Sequence, residues 1–133
     1  MSAILGTETW VAIVDDDEPI RRALQRLLRA HGINATAFHS ARDYLTRAPS
    51  APACICLDVY LHDEMTGLDL AEQLRARGTA TPIIFMTGQD RSELAPAIRD
   101  AWPGVILRKP LDSDLLLELV RHHARVFAER ASA

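Results

Sequence analysis

Several apolar runs in this sequence end in polar side chains that could bind a metal ion or a phosphate group. Acids that meet at one point repel each other unless a cation joins them. Carboxylate oxygens favour Mg²⁺, which typically takes one or two carboxylates together with water and phosphate oxygens. An ammonium and a hydroxyl nearby could hold the oxygens of a phosphoryl group. The residues at the ends of these runs are Asp15, Asp16, Asp17, Asp58, Thr87 and Lys109.

Lys109, in "VILRKPLD", is the only lysine among the 15 basic residues of the chain, and all the others are arginines. Arginine is a planar fork, whereas lysine is a compact point charge on a flexible stem. A phosphorylated or metal-bound carboxylate in a narrow crevice would favour the point charge. Taken singly, each polar residue at a run end is better explained by a solvated turn, a cap, a charge partner or the ordinary preference of a strand end. Their joint placement favours phosphate chemistry on or near a carboxylate.

Five short apolar runs alternate with helical patterns along the chain. The runs are continuously apolar, which is typical of strands in a sheet that is covered on both faces. Five strands that are each followed by a helix predict an α/β protein with a parallel sheet. Ligands of such folds bind beyond the carboxyl ends of the strands, where the polar residues above are placed. The predicted strands are 10–14, 33–38, 53–58, 82–87 and 104–109.

The predicted helices begin at recognisable capping residues. Ser40 and Asp43 have the spacing of a capping box at the start of the second helix. Asp112 or Ser113 is the candidate N-cap of the last helix. A helical pattern also covers 90–100, although a proline interrupts it.

Composition predicts one globular domain. The chain has 133 residues, enough to bury a core of its own. Its net charge of −3 gives no general attraction to nucleic acid. No apolar run is long enough to span a bilayer, and "MSAILGTETW" does not resemble a secretion signal, so we expect a cytoplasmic protein.

Cys54 and Cys56 would share one face of a strand, and we expect buried free thiols there. No further cysteine or histidine pair completes a zinc site.

Four blocks of this sequence resemble the receiver domain of two-component response regulators. They are "IVDDDEPIRRAL", "CLDVYLHDEMTGLDL", "PIIFMTG" and "LRKPLD", and they are specific in their order and spacing. The resemblance extends from about Trp10 to Val126, so we expect 1–133 to be a single receiver domain with its core at about 10–126. It implies a flavodoxin-like, doubly wound (βα)5 fold with strand order 2-1-3-4-5.

The resemblance assigns a phosphorylation site and a metal site to matched positions. Asp58 matches the aspartate that accepts the phosphoryl group in this family. The other matched acids would hold a Mg²⁺ ion beside it, with Asp16 as the direct ligand of the acidic pair. The metal ligands that the resemblance implies are Asp15, Asp16, Asp58 and the backbone carbonyl of Tyr60.

On the far side of the acceptor, Thr87 matches the switch hydroxyl of the family and Lys109 its lysine, with a cis peptide bond to Pro110. The implied function is a phosphorelay in which a sensor histidine kinase or a phosphotransfer protein phosphorylates Asp58. A downstream protein partner would read the resulting change. A homodimer could form through the face of the fourth helix, fifth strand and fifth helix. The chain would then not be an enzyme acting on an external substrate.

Three features depart from the family's pattern. His62 stands where proline is usual, and one extra residue precedes Gly67. Trp102 stands where a small residue is common, and either core packing or a partner contact explains it. Ile106 replaces an aromatic ring that swings on activation in the family. Because isoleucine is stiff at χ1 and carries no ring, we expect residues 88–100 to carry the signal instead.

Three alternative functions share some features of this sequence. A phosphatase that forms an aspartyl phosphate would need a second aspartate two residues after the nucleophile, where this chain has Tyr60. A degenerate receiver that serves only for docking or dimerisation is favoured by the unusual loop and by Ile106, but the site residues are all present. The chain could also be a receiver fragment of a DNA-binding transcriptional regulator.

Overall fold

A computed structural model describes residues 9–61, 64–88 and 105–132. Its strands are β1 (Val11–Val14), β2 (Ala35–Phe38), β3 (Cys54–Asp58), β4 (Ile83–Thr87) and β5 (Val105–Arg108). They form one sheet in the order β2-β1-β3-β4-β5, and every neighbouring pair is parallel. This confirms the predicted α/β, flavodoxin-like architecture.

Four helices are described: α1 (Glu18–Ala30), α2 (Ala41–Arg47), α3 (Gly67–Ala76) and the C-terminal helix (Ser113–Ser132). None of these described helices has both the length and the apolar character needed to cross a membrane. The predicted helix at 90–100, together with His62 and Trp102, lies outside the described residues. A dimer that uses that helix therefore stays a prediction, as does signalling through 88–100.

Alternating side chains of the central strands divide the core into two layers. Val11 and Ile13 of β1 point into the layer that contains Leu24 and Leu28 of α1 and three buried residues of the C-terminal helix. Their neighbours along the strand point into the other layer, which contains buried residues of α2 and α3. The sheet is therefore covered on both faces, as its continuously apolar strands predict. Cys54 and Cys56 are buried free thiols, which confirms that prediction.

Two of the predicted helix starts are capped by side chains. The Ser40 hydroxyl accepts a hydrogen bond from the Asp43 N–H at 2.9 Å, as its spacing predicts. The Asp43 carboxylate accepts from the N–H of His39 at 3.2 Å, one residue before the cap. Asp112, the first of the two candidates, caps the C-terminal helix because its Oδ1 accepts two N–H groups of the following turn.

Candidate functional site

The carboxyl ends of β1 and β3 bring three acids together. Because these strands are neighbours in the sheet, Asp15 follows β1 directly beside the end of β3, where Asp58 lies. One carboxylate oxygen from each of Asp15, Asp16 and Asp58 lies within 4.8 Å of the others. Asp15 is completely buried and Asp58 is only 5% exposed. The structure thus places the predicted acids in one cluster, most of which is removed from water.

Lys109 enters this cluster from the far edge of the sheet. Its backbone N–H donates to the Thr87 carbonyl at 2.8 Å, which continues the pairing of β5 with β4. Its Nζ lies 2.8 Å from Asp15 Oδ2 and 3.3 Å from Asp58 Oδ2. The peptide bond from Lys109 to Pro110 is cis, as the resemblance implies. The ammonium therefore stands between the two buried acids, and its predicted role toward a phosphoryl group stays a prediction.

Backbone N–H groups hold the remaining oxygens of the two acids. The N–H of Tyr60 donates to Asp58 Oδ1 at 3.1 Å, and the N–H of Asp17 donates to Asp15 Oδ1 at 2.9 Å. Each carboxylate thus has one oxygen fixed by the main chain and one facing the Lys109 ammonium. This arrangement fixes both carboxylates before any ligand arrives.

The electrostatics of the cluster disfavour a charged Asp58. Burial raises the pKa of Asp58, and the neighbouring Asp15 charge raises it further. Lys109 and the Tyr60 N–H act in the opposite direction, and the resulting pKa is about 6. Burial alone would lower the pKa of Lys109, but the Asp15 and Asp58 carboxylates outweigh it and raise that pKa. The cluster therefore carries an excess of negative charge that a further cation would relieve.

The three acids fit a Mg²⁺ ion by the chemistry of their donors. All are carboxylate oxygens, the hard ligands that Mg²⁺ prefers over the nitrogen and sulfur ligands of zinc. Their mutual distances of at most 4.8 Å allow one ion to contact all three. Lys109 brings a single positive charge to the two aspartates that it contacts, so it cannot neutralise both carboxylates when both are ionised.

Thr87 reaches the same edge of the sheet but does not join the bonded cluster. It is buried at the end of β4, and its Oγ1 donates a long hydrogen bond of 3.4 Å to the carbonyl of Gly88. Among the described residues, no hydrogen bond links this hydroxyl to the acids or to Lys109. Ile106 is half-buried and packs against the core layer beneath α2 and α3. Both residues therefore lie at their predicted places in β4 and β5, and the hydrogen bond described for the Thr87 hydroxyl is the one to Gly88.

Gly67, for which the sequence predicts no role, is in close contact with the end of β3. A Cβ at Gly67 would lie 2.0 Å from the backbone oxygen of Asp58, so only glycine fits. Its N–H donates to the Val59 carbonyl at 3.0 Å. A capping box between Thr66 and Asp69 fixes the start of α3 at this point. The spacing T-x-x-D before an apolar helix was an available signal for this helix start, but not for the close approach of Gly67 to β3.

Arg21 is a second residue without a predicted role. Its guanidinium donates from Nη1 to the backbone carbonyl of Asp15 at 2.8 Å. This bond ties the first turns of α1 to the loop that carries Asp15 and Asp16. The sequence gives no specific signal for this hydrogen bond, because α1 contains four arginines and nothing in the pattern distinguishes Arg21 from the others.

The curated proteins with similar sequences include response regulator proteins and transcriptional regulatory proteins. The response regulator protein TodT of Pseudomonas putida is 32% identical over 123 residues, which are 92% of this chain and 54% of that protein. Nodulation protein W of Bradyrhizobium diazoefficiens is 35% identical over 118 residues, 86% of this chain and 51% of that protein. The chain thus spans about half the length of these curated relatives.

Solved structures and a family model agree with this similarity. A response regulator receiver protein from Burkholderia phymatum has a TM-score of 0.74 and 30% identity, covering 88% of this chain and 95% of that one. Full-length FixJ from B. japonicum has a TM-score of 0.79 and 28% identity, covering 94% of this chain and 61% of that one. The model of the response regulator receiver domain matches residues 11–121. Members of this family bind Mg²⁺ through acidic residues and interact with histidine kinases. The chain therefore belongs to the response regulator receiver domain family.

Proposed function

We propose that this chain accepts a phosphoryl group on Asp58 in a cytoplasmic two-component phosphorelay, and that a protein partner reads the phosphorylated form. The donor would be a sensor histidine kinase or a phosphotransfer protein. One observation carries the proposal: Asp58 is a buried carboxylate that shares the Lys109 ammonium with a second buried acid, with Nζ 3.3 Å from Asp58 Oδ2 and 2.8 Å from Asp15 Oδ2. A structural ion pair would need one acid and one base, whereas this cluster has a surplus of acids.

In the transfer step, a carboxylate oxygen of Asp58 forms a bond to phosphorus while the bond from phosphorus to the donor's histidine nitrogen breaks. The product is a mixed anhydride, and the histidine leaves as the neutral ring after taking up a proton. Lys109 is placed to pair with a phosphoryl oxygen, because its Nζ already reaches Asp58 Oδ2. Asp15 holds that ammonium in place at 2.8 Å. The chain assists this step on itself and would not turn over an external substrate.

The Mg²⁺ that the family uses would be held by three carboxylates and one main-chain oxygen. When bound, it neutralises negative charge on the phosphoryl oxygens and on the acids themselves. The fit rests on the clustering of the carboxylate oxygens within 4.8 Å. The ligands in this proposal are Asp15, Asp16, Asp58 and the backbone carbonyl of Tyr60.

Thr87 would convert phosphorylation into a conformational signal. Its hydroxyl donates only a 3.4 Å bond to the Gly88 carbonyl, which costs little to break. A rotation about χ1 would let the hydroxyl donate to a phosphoryl oxygen on Asp58 instead. Because this bond exists in only one of the two states, it would bias the equilibrium between them. The partner would then bind preferentially to the conformation in which the surface near Thr87 has moved.

The proposal is tested by the intact mass of the protein after incubation with acetyl phosphate. We expect one added phosphoryl group in the presence of Mg²⁺ and none in the presence of EDTA. Asp58→Asn should remove the added mass, because an amide is not a nucleophile of comparable strength. Glu72→Gln, which changes an exposed acid on α3, is the matched control and should be phosphorylated normally. Unchanged phosphorylation of the Asn variant, or phosphorylation that needs no metal, would refute the assignment.

Replacing Lys109 with arginine should keep the fold but weaken the response to phosphorylation. The ammonium approaches two acids at 2.8 and 3.3 Å, and a planar guanidinium cannot take the same position between them. The measurement is the rise in thermal midpoint on adding beryllofluoride, a mimic of the phosphoryl group, with Mg²⁺. Arg108→Lys, an exchange of the same two residue types at the neighbouring exposed position, serves as the control. A rise equal to that of the unmodified protein would show that any cation suffices.

A second candidate function is the receiver part of a longer transcriptional regulator. The observation that favours it is that this chain spans about half the length of the relatives it matches. Full-length FixJ likewise extends well beyond the matched region. The mass of the protein in its native cells distinguishes the two. A mass near 14.7 kDa would support a protein that signals through partners alone, and a substantially larger mass would support the longer regulator.

A further inference from the structure

Arg21 acts on the backbone that joins the two acids at the end of β1. Its side chain is half-buried and donates from Nη1 to the Asp15 carbonyl at 2.8 Å. That carbonyl belongs to the peptide group between Asp15 and Asp16. Because a peptide group is planar, a bond to its oxygen restricts the orientation of the whole group, including the Cα of Asp16. Arg21 therefore acts on the position of a candidate Mg²⁺ ligand from outside the set of ligands.

Other hydrogen bonds in this loop act on Asp15 itself. Asp17 is the N-cap residue of α1, but its side chain makes no capping hydrogen bond. Its N–H donates to Asp15 Oδ1 at 2.9 Å, and the Asp15 N–H donates to the Phe38 carbonyl at 3.2 Å. The Arg21 bond adds a restraint on the peptide that follows Asp15, and so on the acid proposed as the direct metal ligand of the pair.

The bond and the charge of Arg21 have opposite effects on a bound Mg²⁺ ion. A hydrogen bond donated by a guanidinium is stronger than one between neutral groups, so it holds the peptide firmly. The positive charge alone would repel a second cation at the site. Groups that orient metal ligands from outside typically contribute about 10- to 100-fold to metal affinity. We therefore expect the positioning effect to exceed the repulsion.

We propose that Arg21 is a positioning residue for Mg²⁺ binding: by holding the peptide between Asp15 and Asp16, it sets the geometry of these acids and raises their affinity for the ion. The inference rests on the Mg²⁺ site of the proposed function. It concerns affinity for the ion rather than the transfer step, so its effect is measurable without a phosphoryl donor.

Titration with Mg²⁺ in the absence of a phosphoryl donor tests this inference. Binding to the folded state raises the thermal midpoint with Mg²⁺ concentration, which yields a dissociation constant at fixed ionic strength. Arg21→Met keeps an apolar stem but removes the donor and the charge. We expect its dissociation constant for Mg²⁺ to rise about tenfold or more. A role through charge alone would lower that constant instead.

Arg22→Met is the matched control, because it removes the same charge from the next position of α1. Arg22 is exposed, and its guanidinium lies 3.5 Å from the Glu18 carboxylate. We expect this variant to change the Mg²⁺ dissociation constant by less than about twofold. The thermal midpoint in EDTA provides a further control. A residue that merely stabilises α1 would lower this midpoint but leave the Mg²⁺ dissociation constant unchanged.

Phosphorylation by acetyl phosphate gives a second readout. Arg21→Met should need about tenfold more Mg²⁺ to reach half of its maximal rate. At saturating Mg²⁺ its rate should stay within about twofold of that of the unmodified protein, because Asp58 and Lys109 are unchanged. A maximal rate that falls while the half-saturating Mg²⁺ concentration stays the same would contradict a role in metal affinity.

The outcomes separate this inference from the proposed function. An Arg21→Met protein that binds Mg²⁺ as tightly as the unmodified protein, or more tightly, would overturn the inference and leave the proposed function standing. An unmodified protein that binds no Mg²⁺ would overturn the proposed metal site and the inference together. Should circular dichroism show that Arg21→Met does not fold, Arg21→Lys decides the question. Its shorter stem and single ammonium should raise the dissociation constant at least about twofold, and an equal value would overturn the inference.

Discussion

Replacing Gly67 with alanine is expected to lower the free energy of unfolding by about 3 kcal/mol or more. The added Cβ would lie 2.0 Å from the backbone oxygen of Asp58 and 2.9 Å from its carbonyl carbon. Neither is the end of a flexible side chain, so the backbone itself must shift. Relief would require α3 to withdraw from β3 or the end of β3 to move. The same shift would displace the acceptor carboxylate, so phosphorylation should fall together with stability.

Urea denaturation of Gly67→Ala and Gly88→Ala measures this effect against a matched control. A Cβ at Gly88 would have no atom within 4 Å, and this glycine also lies at the edge of the sheet that carries the site. We therefore expect Gly88→Ala to change stability by less than about 1 kcal/mol. Similar unfolding midpoints for the two variants would show that α3 does not press against the acceptor strand as the structure indicates.

Replacing Asp58 with asparagine is expected to stabilise the protein by about 2 kcal/mol at neutral pH in the presence of EDTA. Folding raises the pKa of Asp58 from 3.8 to about 6, because burial and the Asp15 charge outweigh the attraction of Lys109. The charged carboxylate therefore destabilises the folded state relative to the unfolded chain. The amide removes that charge, while Lys109 keeps its 2.8 Å contact with Asp15.

The stabilisation by Asp58→Asn should depend on pH with a definite sign. The folded protein holds the Asp58 proton more tightly, so this group's contribution to stability falls as pH rises from 3.8 to about 6. The advantage of the asparagine variant should grow across this window and stay constant above it. Glu72→Gln changes an exposed acid and should show no such trend. An asparagine variant that is no more stable than the unmodified protein at pH above about 7 would contradict the electrostatic account.

The cluster of Asp15, Asp58 and Lys109 could be predicted from the sequence for a topological reason. Each of these residues stands at or just past the carboxyl end of a strand, and the carboxyl ends of parallel strands meet at one edge. Strand periodicity and the alternation with helices were sufficient to locate those ends. The orientation of Thr87 could not be predicted in the same way. Its hydroxyl bonds to the neighbouring Gly88 carbonyl through a local rotamer choice that no pattern in the sequence encodes.

The contacts made by Gly67 and Arg21 also required coordinates. Gly67 matters because the start of α3 lies against the end of β3, a packing distance on which hydrophobic periodicity carries no information. Arg21 matters because one of several arginines on α1 happens to reach the Asp15 carbonyl. Both residues act on the backbone of the acidic loops rather than on a ligand. Sequence patterns identify the side chains that could do chemistry more readily than the residues that position them.

Trapping the phosphorylated protein with borohydride tests the central claim most directly. Borohydride reduces an aspartyl phosphate to homoserine, which marks the acceptor permanently. Cleavage after arginine separates Asp58, in the segment that follows Arg47, from Asp15 and Asp16, in the segment that ends at Arg21. After treatment with acetyl phosphate and Mg²⁺, we predict homoserine at position 58 alone. Homoserine at either of the other two acids, or at none of the three in protein whose intact mass shows phosphorylation, would contradict Asp58 as the phosphoacceptor.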